Sequence, residues 1–266
     1  MENPFENFTA YENVKLFIST PCYDSMVSLQ YTISLLNLTR MLPHYNIDFV
    51  IDFIGNESLI PRARNNSLAK FMKSDSTHML FIDSDIEFPC DAVLTLLKAD
   101  KDVACCSYPK KGFNWKKLIH SVQTDRESNE AISSRGLDFA YNVITDKENN
   151  IIRQGDFIRV KHASTGFMMI KKEIVTKLTE KHSELMFKTD SLSKIDNTIC
   201  GLFCCMIKDN QYLSEDYSFC DRVNDIGGEI WINTSHNLNH IGKFRFESDI
   251  KNRTFLGRSD KERMFY

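Results

Sequence analysis

Short unbroken apolar runs alternate with stretches in which apolar residues recur every three or four positions, and this alternation organises the chain as far as Tyr108. VKLFIS (14–19), IDFVIDFI (47–54), MLFI (79–82) and DVACCSY (102–108) are too short for helices. They read as strands covered on both faces, where polar alternation has no purpose. Between them the helical spacing predicts a helix capped by Asp24 and running through Met41, a second over SLIPRARNNSLAKFMKS (58–74) with Pro61 near its first turn, and a third over DAVLTLLKAD (91–100). The order β-α-β-α-β-α-β predicts a parallel, doubly wound, Rossmann-type sheet flanked by helices.

Beyond Pro109 the regularity fades. KKGFNWKKLIH (110–120) is basic with Phe113 and Trp115 interleaved, a composition that suits a phosphate or a sugar face but equally a packed Trp among solvated lysines. Residues 121–161 read as short strands and polar turns, including the loops at Glu127–Glu130 and DKENN (146–150), and predict a mixed β extension in the C-terminal half. ASTGFMMIKKEIVTKL (163–178) predicts a turn, a strand and a helix. SEDYSFCDRVNDIGG (214–228) predicts a helix capped by Ser214 and ended by Gly227 and Gly228, and EIWINTS (229–235) a last strand. No repeat, low-complexity tract or linker divides the chain, so one domain over 1–266 is expected.

The third strand runs into acids: THMLFIDSDIEF (77–88) sets Met79–Ile82 against Asp83, Ser84 and Asp85. In open α/β sheets the carboxyl edge of the strands is where ligands bind. Two carboxylates two residues apart repel unless a proton or a cation sits between them, and a divalent metal is the natural guest. Two other placements carry chemistry. Arg64, with Asn65 beside it, lies near the start of the second helix, where a cation is disfavoured by the helix dipole and calls for an anionic partner. Glu215 and Asp216 open the helix at 214–228, where acids are favoured and commonly serve only as a cap.

Composition narrows the classes. A chain of 266 residues, 42% hydrophobic and 26% charged, can bury a full core. A net charge of −3 lacks the cationic surface of a general nucleic-acid binder. No run approaches the ~18 apolar residues of a membrane span, and MENPFENFTAYEN has acids where a signal peptide is basic. A soluble, cytoplasmic protein that is not exported is expected. The eight cysteines form no CxxC pair and sit largely in apolar segments such as VACCSY and GLFCCM, which predicts reduced thiols and argues against zinc.

STPCYDS, SLIPRARNNSLAKF, THMLFIDSDIEF, CSYPKK, STGFMMIKK, SEDYSFC and NHIGKF occur in this order along most of the chain. In that order they resemble the nucleotide-sugar glycosyltransferases of GT-A fold, in the short viral and phage style; RARNN followed by a strand ending in DSD is also similar to the yeast mannan-polymerase mannosyltransferases. The resemblance implies a GT-A-like fold with a nucleotide-binding half (1–108) and an acceptor- and metal-completing half (109–266). It implies a Mn²⁺ or Mg²⁺ ion held by Asp85 and by His240 of NHIG, with Asp83 on the ribose or on the metal through water. It places Thr20, Pro21, Cys22, Tyr23, Arg64, Asn65 and Ser84 around the nucleotide. Lys243 would meet a pyrophosphate oxygen; if the transfer retains configuration, no base is needed and Thr165 and Gly166 would matter for close approach to the donor sugar. Asp216 would be the general base of an inverting transfer, with Glu215 its partner or substitute. The implied activity moves a sugar from a uridine-linked donor to a hydroxyl of a glycan or protein acceptor; if a viral protein, its compartment would be the host cytoplasm or the virion. The alternatives are a nucleotidyltransferase, against which STPCYDS offers neither Gly nor Lys for a phosphate loop, and a non-catalytic sugar- or nucleotide-binding protein of the same fold.

Overall fold

The computed structural model describes residues 11, 13–124, 134–188 and 198–243. In chain order the strands are β1 Lys15–Cys22, β2 Asp48–Gly55, β3 His78–Ile82, β4 Ile86–Glu87, β5 Val103–Cys106, β6 Pro109–Phe113, β7 Leu137–Phe139, β8 Tyr141–Val143, β9 Arg153–Gln154, β10 Phe157–Ala163, β11 Phe167–Lys171, β12 Met186–Lys188, β13 Thr198–Cys200, β14 Met206–Lys208, β15 Gln211–Leu213, β16 Ile230–Asn233 and β17 Asn239–His240. The helices are α1 Leu29–Met41, α2 Ile60–Lys73, α3 Cys90–Ala99, α4 Trp115–Thr124, α5 Lys172–Lys181 and α6 Glu215–Asp225.

A nine-stranded sheet runs in the order β2-β1-β3-β11-β5-β16-β10-β8, with β9 also on β10. β2, β1 and β3 are parallel, as are β5 and β16, while β11 lies antiparallel between β3 and β5, and β10 antiparallel to β16. This is the α/β class expected, a large sheet flanked by helices, with the C-terminal half supplying the mixed hairpins. The insertion of β11 is the departure from a simple parallel array. Its buried Phe167–Ile170 run is covered on both faces like its neighbours, so composition alone could not assign it a place or a direction.

Along β3 the side chains split by parity. Leu80 and Ile82 join the core beneath α1 and α3, and Met79 and Phe81 the core beneath α2, α5 and α6. That two-sided burial explains the unbroken apolar run. The end of α6 that bears Glu215 is fixed by buried polar contacts lower on the helix. His162 Nε2 lies 2.8 Å from Asp221 Oδ1, and Arg222 Nη1 donates to the carbonyls of Leu202 and Cys204 at 2.8 and 2.9 Å.

Several boundaries differ from the sequence reading. β1 continues to Cys22 because Thr20–Cys22 pair with Phe53–Gly55. α1 is capped by Ser28, whose Oγ accepts from Tyr31 N at 3.1 Å, whereas Asp24 closes an earlier turn by accepting from Met26 N. Ser214 stands at the N-cap of α6, but its hydroxyl bonds the Asp216 carboxylate instead of capping the helix backbone. The loop expected at Glu127–Glu130 lies outside the described residues. All eight cysteines are free thiols. Among the described residues no helix is long and apolar enough to cross a membrane.

Candidate functional site

The acids after β3 sit where three chain segments meet. Asp83 N donates to Gly166 O (3.0 Å), anchoring the strand end to the turn before β11, and Ile86 N donates to Asp83 O (3.1 Å), reversing the chain. β4 then pairs with β17, Ile86 opposite His240, and Ile241 N donates to Asp85 O at 2.8 Å. This short ladder brings His240 across more than 150 residues of sequence to Asp85.

His240 Nδ1 lies 2.8 Å from Pro109 O. A carbonyl only accepts, so Nδ1 donates to it, and Nε2 is the nitrogen turned to Asp85 Oδ1 at 3.3 Å. Tyr108 packs edge-on against the imidazole, 5.1 Å between centroids, and limits its rotation. The other Asp85 oxygen receives Lys111 Nζ. Burial pushes the Asp85 carboxyl up, but the bonds from His240 and Lys111 outweigh it and hold the group below its ordinary value.

A second set of charges is strung on Arg64. The guanidinium is 4% exposed, with Nη2 3.0 Å from Asp83 Oδ1 and Nε 3.5 Å from Glu215 Oε1, and it rests over the Phe81 ring at 5.3 Å. Burial disfavours its charge, yet Asp83 and Glu215 raise its pKa above the ordinary value. The anionic partner expected for Arg64 is therefore supplied from within the protein. Its contacts do not exhaust it: among the described residues Nη1 and Nε are buried without a hydrogen-bond partner, as is Oγ1 of Thr165 next to Gly166. Burial, the largest influence on Glu215, raises its carboxyl above the usual range despite the opposing pull of Arg64.

Gly166 closes this side. A Cβ there would sit 2.3 Å from Tyr108 Oη and 2.6 Å from Asp83 Oδ2, so the turn admits only glycine without displacing one of them. The phenol accepts from Gly166 N at 3.0 Å, and burial pushes its own pKa well up, keeping it neutral.

The remaining expected residues fall into distinct settings. Thr20, Pro21 and Cys22 are buried in β1, with Thr20 Oγ1 2.5 Å from Tyr31 Oη. Tyr23 beside them is 67% exposed and presents an open ring. Ser84 is half-buried, its carbonyl receiving Ser28 N at 2.8 Å. Asn65 is spent internally: Oδ1 accepts from Phe203 N at 2.8 Å and Nδ2 approaches Cys204 Sγ at 3.6 Å, pinning the 203–204 loop. Asp216 Oδ1 is taken by Tyr217 N at 2.8 Å and by the Ser214 hydroxyl. Lys243 is exposed on the rim of an open groove of about 510 Å³ shared with Lys110, Lys111, Leu137 and His240. Tyr108 and Lys111 are site residues that sequence reasoning did not assign, although CSYPKK, directly after a buried strand, was the available signal.

Asp85 and His240 fit a hard-to-borderline divalent ion as a pair of oxygen and nitrogen donors. Among the described residues no group of three or more His, Cys, Asp or Glu is placed to hold a metal, so a bound ion would draw its other ligands from substrate oxygens and water.

No family model matches the chain, and no curated protein does. Among solved structures it is similar to GalNAc-T7 determined with UDP, GalNAc and Mn²⁺, at 9% identity and a TM-score of 0.42, covering 88% of this chain and 45% of that one. The chain thus spans less than half the length of the protein it matches.

Proposed function

We propose that this chain is a metal-dependent glycosyltransferase that takes a sugar from a nucleoside-diphosphate donor, uridine-linked by resemblance, to a hydroxyl of a glycan or protein acceptor. The observation that carries the reading is the meeting of Asp83, Asp85, His240, Arg64 and Glu215, from four separate parts of the chain, at the carboxyl edge of β3. Asp85 and His240 would hold Mn²⁺ or Mg²⁺, which when bound neutralises the charge that builds on the departing diphosphate.

The chain's own groups do the rest. Tyr23, exposed where β1 ends, stacks the base, and Ser84 lines the nucleotide. Arg64 Nη1 and Thr165 Oγ1 donate to donor oxygens, which answers their lack of protein partners. Gly166 lets Tyr108 and Asp83 close against the turn, setting Asp83 beside the donor sugar. Lys111 holds Asp85 in place when the substrate is absent and turns to a phosphate oxygen when it arrives. Glu215 is the better general base: its proton affinity is raised and it borders Arg64, whereas Asp216 is engaged by its own helix turn. Residues 1–108 would bind the nucleotide and 109–266 complete the metal and acceptor sides.

The test is turnover of a nucleotide-sugar panel with and without Mn²⁺. Release of nucleoside diphosphate only with metal supports the reading. Release of pyrophosphate from a nucleoside triphosphate and a sugar phosphate would identify a nucleotidyltransferase instead, and binding without turnover a non-catalytic protein.

A further inference from the structure

Helix α1 is apolar on both sides. Tyr31, Leu35 and Leu38 are buried in the core, while Leu29, Ile33 and Leu36, at i, i+4 and i+7, are exposed by 69%, 50% and 58%. A helix on a soluble surface ordinarily turns charges outward, and the only charged residue of α1 is Arg40 in its last turn. The apolar face extends to Met26 before the helix and to Phe53 on β2, while Val50 is exposed on the other face of the same edge strand. Phe53 packs edge-on to Tyr31, 6.5 Å between centroids, which joins the strand to the helix.

β2 is the edge of the large sheet. All eight of its residues pair with β1, and among the described residues no strand takes its outer side. Edge strands are ordinarily blunted by Lys, Pro or a bulge. DFVIDFIG has no Lys or Pro, its register with β1 is unbroken, and of its acids Asp52 is held by Lys70 at 2.6 Å.

We infer that this face binds a second copy of this chain, β2 pairing antiparallel with its symmetry mate so that the two sheets continue into one and the two α1 helices lie on the same side. A two-fold axis normal to the sheet sets a strand antiparallel to itself and pairs only residues that point to the same face. Centred on Ile51, it places Phe49 against Phe53 of the partner subunit and sets each Asp against Ile54 or Val50, so no carboxylates oppose one another. An eight-residue strand about 26 Å long beside a 13-residue helix about 20 Å long has the reach of a standard interface of ~800 Å² per partner. The face has no lysine cluster, so an anionic membrane is not the partner it fits.

Sedimentation equilibrium of the full chain over a concentration series tests this. The dimer should dissociate on dilution. Val50→Lys and Ile33→Glu should each weaken it by at least about tenfold, and together abolish it. Lys177→Glu on α5, on the opposite face, should change nothing. Amide exchange of β2 should slow as wild-type concentration rises, a readout that needs no variant. A chain monomeric at every concentration, a dimer indifferent to both substitutions, or concentration-independent exchange of β2 would overturn the inference.

Discussion

Arg64 is the most informative single position, because removing its charge leaves Asp83 and Glu215 without their shared cation, with side chains only 27% and 15% exposed. Arg64→Met keeps the length and the packing on Phe81 but not the charge. Breaking a buried ion pair on one side typically costs about 3–5 kcal/mol, because the abandoned charge stays desolvated. The residual access of water to Asp83 puts the expected loss near the lower bound. With an unfolding entropy of ~2.1 cal/mol/K per residue, a chain of 266 residues gives about 0.56 kcal/mol/K, so about 3 kcal/mol lowers Tm by about 5 °C. Urea unfolding and a thermal scan measure this. Glu215→Gln then provides the cycle: costly in the native background, it should restore about 1–2 kcal/mol in Arg64→Met, since it removes one of the two opposed carboxylates. A loss below about 1 kcal/mol for Arg64→Met, or the same effect of Glu215→Gln in both backgrounds, would refute the idea that Arg64 is held by internal carboxylates.

Gly166→Ala should push Asp83 or Tyr108 aside, lowering stability by about 1–3 kcal/mol and nucleotide affinity more than tenfold; unchanged calorimetric binding would contradict the close approach. Glu215→Gln should lower kcat by about 10²–10⁴-fold with donor affinity little changed, while Asp216→Asn, whose amide oxygen can still accept from Ser214 and Tyr217, stays near native; the reverse ranking would return the base role to Asp216. A base works ionised, so kcat should rise with pH through an apparent pKa above the ordinary glutamate value, in the direction in which burial shifts Glu215, and Glu215→Gln should lose that limb. Cys106 and Cys220, pushed up to about 12 by burial, should resist iodoacetamide in the folded chain at mildly alkaline pH and react in urea, as mass spectrometry would report.

The parallel βα framework was legible because buried strands and amphipathic helices leave different periods, and Met79–Ile82 running into two acids marked the carboxyl end of β3. The place of β11 was not legible, since a strand buried on both faces carries no mark of its neighbours or direction. Asp83, Asp85 and His240 were named together, but the device that joins them, the two-residue β4–β17 ladder, is too short to leave a period. The position of Arg64 at a helix start signals an anionic partner, but that Asp83 and Glu215 lie against it depends on how α2 and α6 pack, which no local pattern encodes. Asn65 shows the opposite limit, because a polar residue at a helix start reads the same whether it faces a ligand or ties down a distant loop.

In the proposed function, a divalent ion on Asp85 and His240 links the protein to a nucleoside diphosphate. Calorimetric titration of UDP into the native chain, with Mn²⁺ and with EDTA, tests it most directly, run beside Asp85→Asn. The native chain should bind tightly only with Mn²⁺, and the variant equally weakly with and without metal. Native affinity that is the same in EDTA, or Mn²⁺ dependence that survives Asp85→Asn, would contradict it.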